Sequence, residues 1–306
     1  MSEKVLLIPH ISVHNANALS SPFTIGFPAM TAWLGAVHAL QCKLNALGLD
    51  VCFDAVGVVS HQFDLQTYKG PGDFEYSIIG TANPVDKDGS RPAFIEEARC
   101  HLEVSLVIQC HDVDKLQERT VIEKVSHCLN AQMKMAGGDI LGFDEPAFYR
   151  NFDKLKTKLM PGYAIIERRD LMREAMEQGQ DAMDAMLDYL AIHHSCEQQE
   201  KNEQIQVIWN SQRKRTGSED QRGWIVPVAV GFHGISELGQ AKNQRDPDTP
   251  HRFAESVVTL GEFKMPYKID TLDGLLWRYQ FEAEQNLYLC QQAKSNTSQL
   301  FEQDGF

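Results

Sequence analysis

The residues of this chain best equipped to hold a metal or move a proton are eleven histidines and seven cysteines. His193-His194-x-Cys196 begins like a zinc site, but no second Cys or His pair follows at ligand spacing. A histidine pair also suits a helix C-terminus, where the macrodipole favours cations. We therefore expect no metal and no cofactor. His10 and His14 flank the end of a strand-like run. They could form a general acid–base pair on RNA, or simply occupy a surface loop. Cys100-His101 and Cys110-His111 sit at strand ends without further pattern, and Glu96-Glu97 reads as a solvated helix face. The phosphate-cradling loop of P-loop enzymes, the glycine-rich dinucleotide turn, the paired-histidine zinc-protease helix and the hydrolase nucleophile elbow are all missing.

Basic and amide groups show more pattern. Arg150, Lys154, Lys156, Lys158, Arg168, Arg169 and Arg173 face only Asp153, Glu167 and Asp170, so this segment is positive within a chain of net charge −13. It reads either as a phosphate-facing surface or as a solvated face. Lys242-Asn243-Gln244-Arg245 and His251-Arg252-Phe253 form a donor-rich stretch able to reach phosphates and base edges. A turn around Pro247 and Pro250 is the alternative. Asn15 and Asn17 open a segment rich in Asn, Ser, Pro and Gly that reads as a loop to Pro28. Their amides both donate and accept, and Gly26 permits close backbone approach.

Something must position these groups. At 306 residues the chain holds two domains or one elaborated domain. The apolar and charged fractions, 43% and 23%, are those of a globular protein and argue against disorder. With 29 basic against 42 acidic residues, it is no nonspecific nucleic-acid coat, though a local basic groove or a place in a larger complex remains open. The stretch Pro22 to Leu40 is too interrupted by Pro, Gly and polar residues for a membrane span. Met1-Ser2-Glu3-Lys4 runs straight into a strand and reads as no signal peptide. The odd, widely spaced cysteines then read as reduced thiols in the cytoplasm.

The spacing predicts a strand over Val5–Val13. A helix opened by Pro28 follows, on Met30, Trp33, Leu34, Val37, Leu40, Leu44 and Leu47, stopped by Gly48. A second strand covers Val51–Val59. Residues 62–91 form a polar insertion with a hairpin strand near Tyr76–Ile79. Ser90 and Pro92 open a short helix to Cys100. His101–Cys110 alternates as a half-buried strand, with Leu102, Val104, Leu106, Ile108 and Cys110 inward and His101, Glu103, Ser105 and Gln109 outward. A helix over 115–135 uses Leu116, Ile122, Val125, Leu129 and Met133, and Asp139–Leu141 is a strand. That is the β-α-β-β-α-β order of the ferredoxin-like RNA-recognition fold.

Further on we expect a strand at Gly162–Ile166 and an amphipathic helix Asp181–His194 on Met183, Met186, Leu187 and Leu190. A polar connection 195–222 holds Arg213-Lys214-Arg215 and a short strand Gln206–Trp209. A strand Gly223–Val228 and a terminal helix Asp273–Tyr288 complete the chain. The fold class is α+β. Residues 1–150 form a ferredoxin-like core with an insertion at about 62–100, and 151–306 a mixed α/β extension. The first and third strands carry no Phe, Tyr or Trp on which to stack bases, so RNA would be held by loops and backbone.

Pro9-His10-Ile11-Ser12-Val13-His14-Asn15-Ala16-Asn17-Ala18-Leu19-Ser20-Ser21-Pro22-Phe23-Thr24-Ile25-Gly26-Phe27-Pro28, then Gly35-Ala36-Val37-His38-Ala39-Leu40, carries a resemblance. So do Glu96 to Leu106, Ala136-Gly137-Gly138, Leu159 to Ala164, Gly223 to Pro227 and Thr249 to Phe253. Together they resemble the second Csy proteins, the Cas-five-type subunits of type I-F CRISPR surveillance complexes in the RAMP superfamily. The 195–222 connection matches no part of that pattern. The resemblance implies a modified RNA-recognition fold and no enzymatic activity. It implies one copy that binds the 5′ handle of the CRISPR RNA, pairs with the large subunit and abuts the adjacent backbone subunit. Target DNA would be met only through the complex, and no membrane is involved. On this reading Asn15, Asn17, Ser20, Ser21, Thr24, Gly26, Arg91, Arg99, Asn243, Arg245, His251 and Arg252 hold the handle. Two other readings stand beside it. One is a RAMP endoribonuclease processing precursor RNA through His10, His14 or His38. The other is a metabolic enzyme on a ferredoxin-like scaffold, with a deep pocket.

Overall fold

In the computed structural model, which describes residues 4–82, 85–91, 94–95, 97–111, 113–201, 204–213, 224–244 and 246–292, the first strand, β1, runs from Lys4 to Asn17. It continues past Val13 because Ala16 and Asn17 pair with Cys100 and Arg99. The expected loop is instead a small hairpin of β2 (Leu19–Ser21) and β3 (Thr24–Ile25). Helix α1, Met30–Ala46, buries six of the seven predicted side chains. Leu47 falls outside it and is exposed. Gly48, at φ +82°, takes the left-handed conformation that ends the helix.

Strand β4 spans Cys52–Leu65. The insertion folds as two ribbons, β5 (Thr67–Tyr68) with β6 (Ser77–Ile78), and β7 (Thr81–Ala82) with β8 (Phe94–Ile95). The predicted helix after Ser90 is absent from the described residues. The Ser90 N–H and hydroxyl both donate to Asp88 Oδ1, closing a turn rather than capping a helix. Strand β9 then begins at Arg99 and ends at His111. Helix α2, Glu118–Gln132, buries Val121, Val125, Cys128 and Leu129. Leu116 precedes it and is 95% exposed. β10 (Lys134–Met135), β11 (Gly138–Gly142) and β12 (Ala147–Tyr149) follow.

Beyond residue 150 come α3 (Phe152–Lys158), β13 (Tyr163–Glu167), α4 (Arg169–Glu177) and α5 (Ala182–Leu190). Helix α5 starts on an Asp181 cap and buries Ala185 and Tyr189, leaving Met183 and Leu187 half exposed. It ends before His193 and His194, which lie on a strand rather than at a helix terminus. The polar connection is largely a ribbon of β14 (Ile192–Lys201) and β15 (Gln204–Arg213). Lys214 and Arg215 lie outside the described residues. β16 (Trp224–Gly234) and β17 (Ala254–Lys264) form a long pair. The predicted terminal helix is a β-hairpin, β18 (Trp277–Glu282) and β19 (Leu287–Gln292), turned at Asn286 with φ +54°. Pairing across that turn outweighs the local helical spacing.

The central strands lie in the order β11-β1-β9-β4, every neighbour antiparallel. The architecture is a mixed α+β fold. From β4 the sheet continues through β13, β17, β16, β19 and β18, and β18 returns to pair with β4 at Trp277 and Val56. Buried Trp277 donates from Nε1 to the Ile165 carbonyl at 2.9 Å, tying the returning strand to β13.

One face of the sheet packs Leu6 and Ile8 of β1, with Leu102, Val104 and Leu106 of β9, against Trp33, Leu40, Val125 and Leu129 of the two helices. Ile165, Val228, Trp277 and Leu289 join the same core, so it runs across both halves of the chain. The opposite face buries Val5, Leu7, Ala55 and Val107 under Leu155 and Leu159 and under Leu275 and Leu276. Strand β9 is therefore half-buried only over its first residues. From Ser105 both faces are covered, and Ser105 and Gln109 are buried.

Candidate nucleic-acid interface

The end of β1 gathers most of the predicted amides. Asn15 adopts φ +60°, a conformation asparagine tolerates better than most residues. Its N–H donates to His101 Nδ1 at 3.2 Å, and its Oδ1 accepts from Gln66 Nε2 at 2.5 Å. The Asn17 side chain closes on Leu19, donating to its carbonyl and accepting its N–H, both at 3.1 Å. That turn feeds the chain into β2. The hydroxyls of Ser20 and Ser21 meet Thr24 Oγ1 at 2.8 and 2.7 Å. Ser21 and Thr24 are buried, so these hydroxyls brace the hairpin, whose tip, Phe23, is 73% exposed. The Gly26 N–H donates to the Ala18 carbonyl, and the space beside its Cα is open. Between hairpin, α1 and β10 lies a cleft of about 340 Å³, lined by Asn17, Ser20, Pro28, Ala29, Lys134 and Gly137 among others.

Arg99 stands directly across from Asn17. It belongs to a strand rather than to the expected helix, and its guanidinium donates to Glu97 Oε2 at 2.5 Å. Glu96, the partner that helical spacing would give it, lies outside the described residues. Arg91 is exposed on the insertion.

The second predicted cluster lies elsewhere. Phe27 packs edge-on against Phe263, and Phe263 pairs with Trp224 at the start of β16. The loop holding Asn243, His251 and Arg252 leaves from the opposite end, beyond the Gly234–Ala254 pair. The length of that ribbon separates the two clusters by roughly 30 Å at a strand's rise per residue. Asn243 is exposed in a turn with φ +61°, and His251 meets Phe253 edge-on at 5.4 Å. Arg252 is partly buried. Its Nη1 donates to Asn286 Oδ1, and its Nε is buried without a hydrogen-bond partner among the described residues. This arginine clamps the loop base to the β18–β19 turn. Arg245 lies outside the described residues.

Four of the seven cations of the basic segment are paired to carboxylates, while Lys154, Lys158 and Arg173 are exposed. Arg150 and Lys4 converge on Glu118, Lys156 pairs with Asp153, Arg168 with Asp170 and Glu262, and Arg169 with Glu167. Partial burial pushes the Glu118 carboxyl up, but the hydrogen bonds from Lys4 and Arg150 outweigh it and hold the group below its usual range.

Four histidines line the sheet face opposite the helices: His10, His14 and His101, named above, and His61, which the sequence reading does not single out. His10, at φ +51°, donates its N–H to Ser105 Oγ at 3.1 Å, and its Nδ1 lies 2.6 Å from Glu103 Oε1. Its ring is 4.3 Å from that of His61. His61 Nδ1 donates to the Pro161 carbonyl at 2.6 Å, leaving Nε2 to accept the Ser105 hydroxyl at 2.6 Å. Burial pushes the His61 imidazole below its ordinary range, against the Pro161 carbonyl, which favours the charged form. A second pair, His14 and His101, stacks at 4.3 Å and 24°. The outward positions of β9 are visible in its alternation. The partners on β1 and β4 are not, because a bulge between Ile8 and Ile11 resets the facing residues. His38 is exposed on α1, in the layer across the sheet, so the three histidines of the nuclease reading do not converge. Among the described residues no group of three or more His, Cys, Asp or Glu is placed to hold a metal, and no helix is long and apolar enough to cross a membrane.

The family model of a CRISPR-associated protein, Cas_Csy2, matches residues 6–290. The chain is 33% identical over 318 residues to CRISPR-associated protein Csy2 of Pseudomonas aeruginosa (strain UCBPP-PA14), a match covering 94% of each.

Proposed function

Since this chain belongs to the Csy2 family of CRISPR-associated proteins, we propose that it is the noncatalytic type I-F subunit that holds the 5′ handle of the CRISPR RNA. In that role it pairs with the large subunit, abuts the adjacent backbone subunit, and meets target DNA only through the assembled cytoplasmic complex. The observation that carries this reading is the antiparallel order β11-β1-β9-β4 with α1 and α2 on one face. Numbered by their place in the β-α-β-β-α-β run, these strands are fourth, first, third and second, which supports a ferredoxin-like RNA-recognition core of the RAMP kind. The later strands are then an extension built onto the free edge of β4.

The handle contacts fall to Asn15, Asn17, Ser20, Gly26 and Arg99, grouped where β1 leaves the sheet. A net charge of −13 gives the isolated chain little attraction for RNA, so a partner subunit completes the site. A noncatalytic role is supported by the place of His38, across the sheet from His10 and His14, and by the buried, doubly bonded Ser105 hydroxyl.

Co-expression with the neighbouring genes and a CRISPR array tests the reading. We expect a ribonucleoprotein containing this chain, and no cleavage when the purified chain meets repeat RNA. Cleavage by the chain alone would favour the endoribonuclease. An RNA-free chain that joins no complex would reject both.

A further inference from the structure

We propose that the open half of the sheet face, from Arg99 to the His10–His61 pair, is a seat for unpaired nucleotides whose bases stack on the histidine rings; this rests on the RNA-binding reading above. The far half of that face is filled by α3 and by Leu275 and Leu276. Among the described residues, none of that packing reaches the half near the end of β1, where His101 and Glu103 are half-buried and His14 is exposed. Arg99, His101, Glu103 and Ser105 alternate along β9 with inward Cys100, Leu102 and Val104, so all four point to this face. His10 and His14 from β1, and His61 from β4, complete the strip through the ring contacts described above.

The charges decide what such a strip takes. Glu103 holds His10, Asp64 stands opposite His101, and Asp139 lies near His14 while paired to Lys134. Three carboxylates repel phosphates. Flat aromatic rings and amides do not repel bases. Imidazole is among the side chains on which RNA-binding domains stack bases. His14 is exposed, so its ring has a face free beyond His101. Asn15 and Gln66, beside His101, carry donors and acceptors suited to a base edge. Arg99 lies at the end of the strip, where the backbone of the same strand would pass. From Arg99 to Ser105 the strip spans roughly 20 Å, comparable to a sheet that stacks two or three bases.

The test uses the complete co-expressed assembly and an oligoribonucleotide matching the 5′ handle of its own array. The handle carries 4-thiouridine at one position at a time. Irradiation should crosslink at least one position to peptides holding residues 8–17, 61–66 or 99–105, read by mass spectrometry. Replacing His14→Ala or His101→Ala should weaken handle affinity by roughly 5- to 150-fold, the range seen when a base loses its stacking partner. His14→Phe and His101→Phe should recover most of that loss, because they keep the ring. Crosslinks confined to other segments, or alanine variants that bind like the wild type, would overturn the strip while leaving the handle reading intact. A wild-type assembly that retains no handle RNA would overturn both.

Discussion

Asn17 and Arg99 face each other across the last paired rung of β1 and β9, where the first strand leaves the sheet. One side chain is spent on a turn to Leu19 and the other on Glu97. The rung thus couples the hairpin to the strand that carries the outward histidines. Whether Arg99 serves structure or RNA depends on how strongly Glu97 holds it, and that pair is partly exposed, a setting in which ion pairs contribute about 0–1 kcal/mol.

Arg99→Ala should therefore change RNA binding more than folding. In the assembled complex we expect the slope of log affinity against log salt to shrink by about 0.7 for the lost contact to single-stranded RNA. Matched and scrambled handles should weaken alike. Titration at several salt concentrations reads this directly. An unchanged slope, with a lowered melting temperature, would assign the arginine to Glu97 alone.

Asn15 separates backbone from side chain. At φ +60° an alanine is strained by roughly 1–2 kcal/mol, whereas a glycine is not. Asn15→Ala should lower the melting temperature, and Asn15→Gly should lie closer to the wild type. Both should weaken assembly on the handle, because both lose the amide beside Gln66 and His101. If Asn15→Gly assembles as the wild type does, the residue is there for its backbone.

Arg252→Ala should behave in the opposite way to Arg99→Ala. It removes the bond to Asn286 and the contact with Gly234, where even an added Cβ would lie 2.5 Å from the arginine Cδ. Removing the unpartnered Nε offsets part of the loss. We expect a net destabilisation of about 1 kcal/mol by chemical denaturation, with RNA affinity and its salt slope unaltered. A reduced slope at unchanged stability would return this residue to the phosphate contacts.

His61 predicts a pH dependence with a defined sign. Its imidazole is held below the ordinary value of 6.5, mainly by burial, with His10 adding repulsion and Glu103 and the Pro161 carbonyl acting against the shift. Below about pH 6.5 the unfolded chain takes up a proton that the folded chain resists, so stability falls as the pH drops through that window. Denaturation midpoints between pH 7.5 and 5.5 should decline for the wild type and decline less for His61→Gln. Identical profiles would show that His61 is not the group responsible.

The order of strands and helices through residue 142 is largely legible in the sequence, because alternation in β9 and helical spacing in α1 are local signals that burial enforces. The asparagine and hairpin segment is legible as a unit, but not as structure, since its turn depends on Asn17 reaching Leu19 and on Ala16 and Asn17 finding β9. Helical spacing misleads at Asp273–Tyr288, where pairing with distant strands decides the backbone. The basic segment 150–173 looks more open than it is, because the partners of Arg150 and Arg168, Glu118 and Glu262, lie far away in sequence. The histidine strip is invisible for the same reason. His10, His61 and His101 come from three separate strands, and only the antiparallel register and the bulge before Ile11 turn their rings onto one face. Local patterning alone fixes which stretches bury an apolar side. Which polar side chains meet is settled by tertiary pairing, because that depends on register between segments many residues apart.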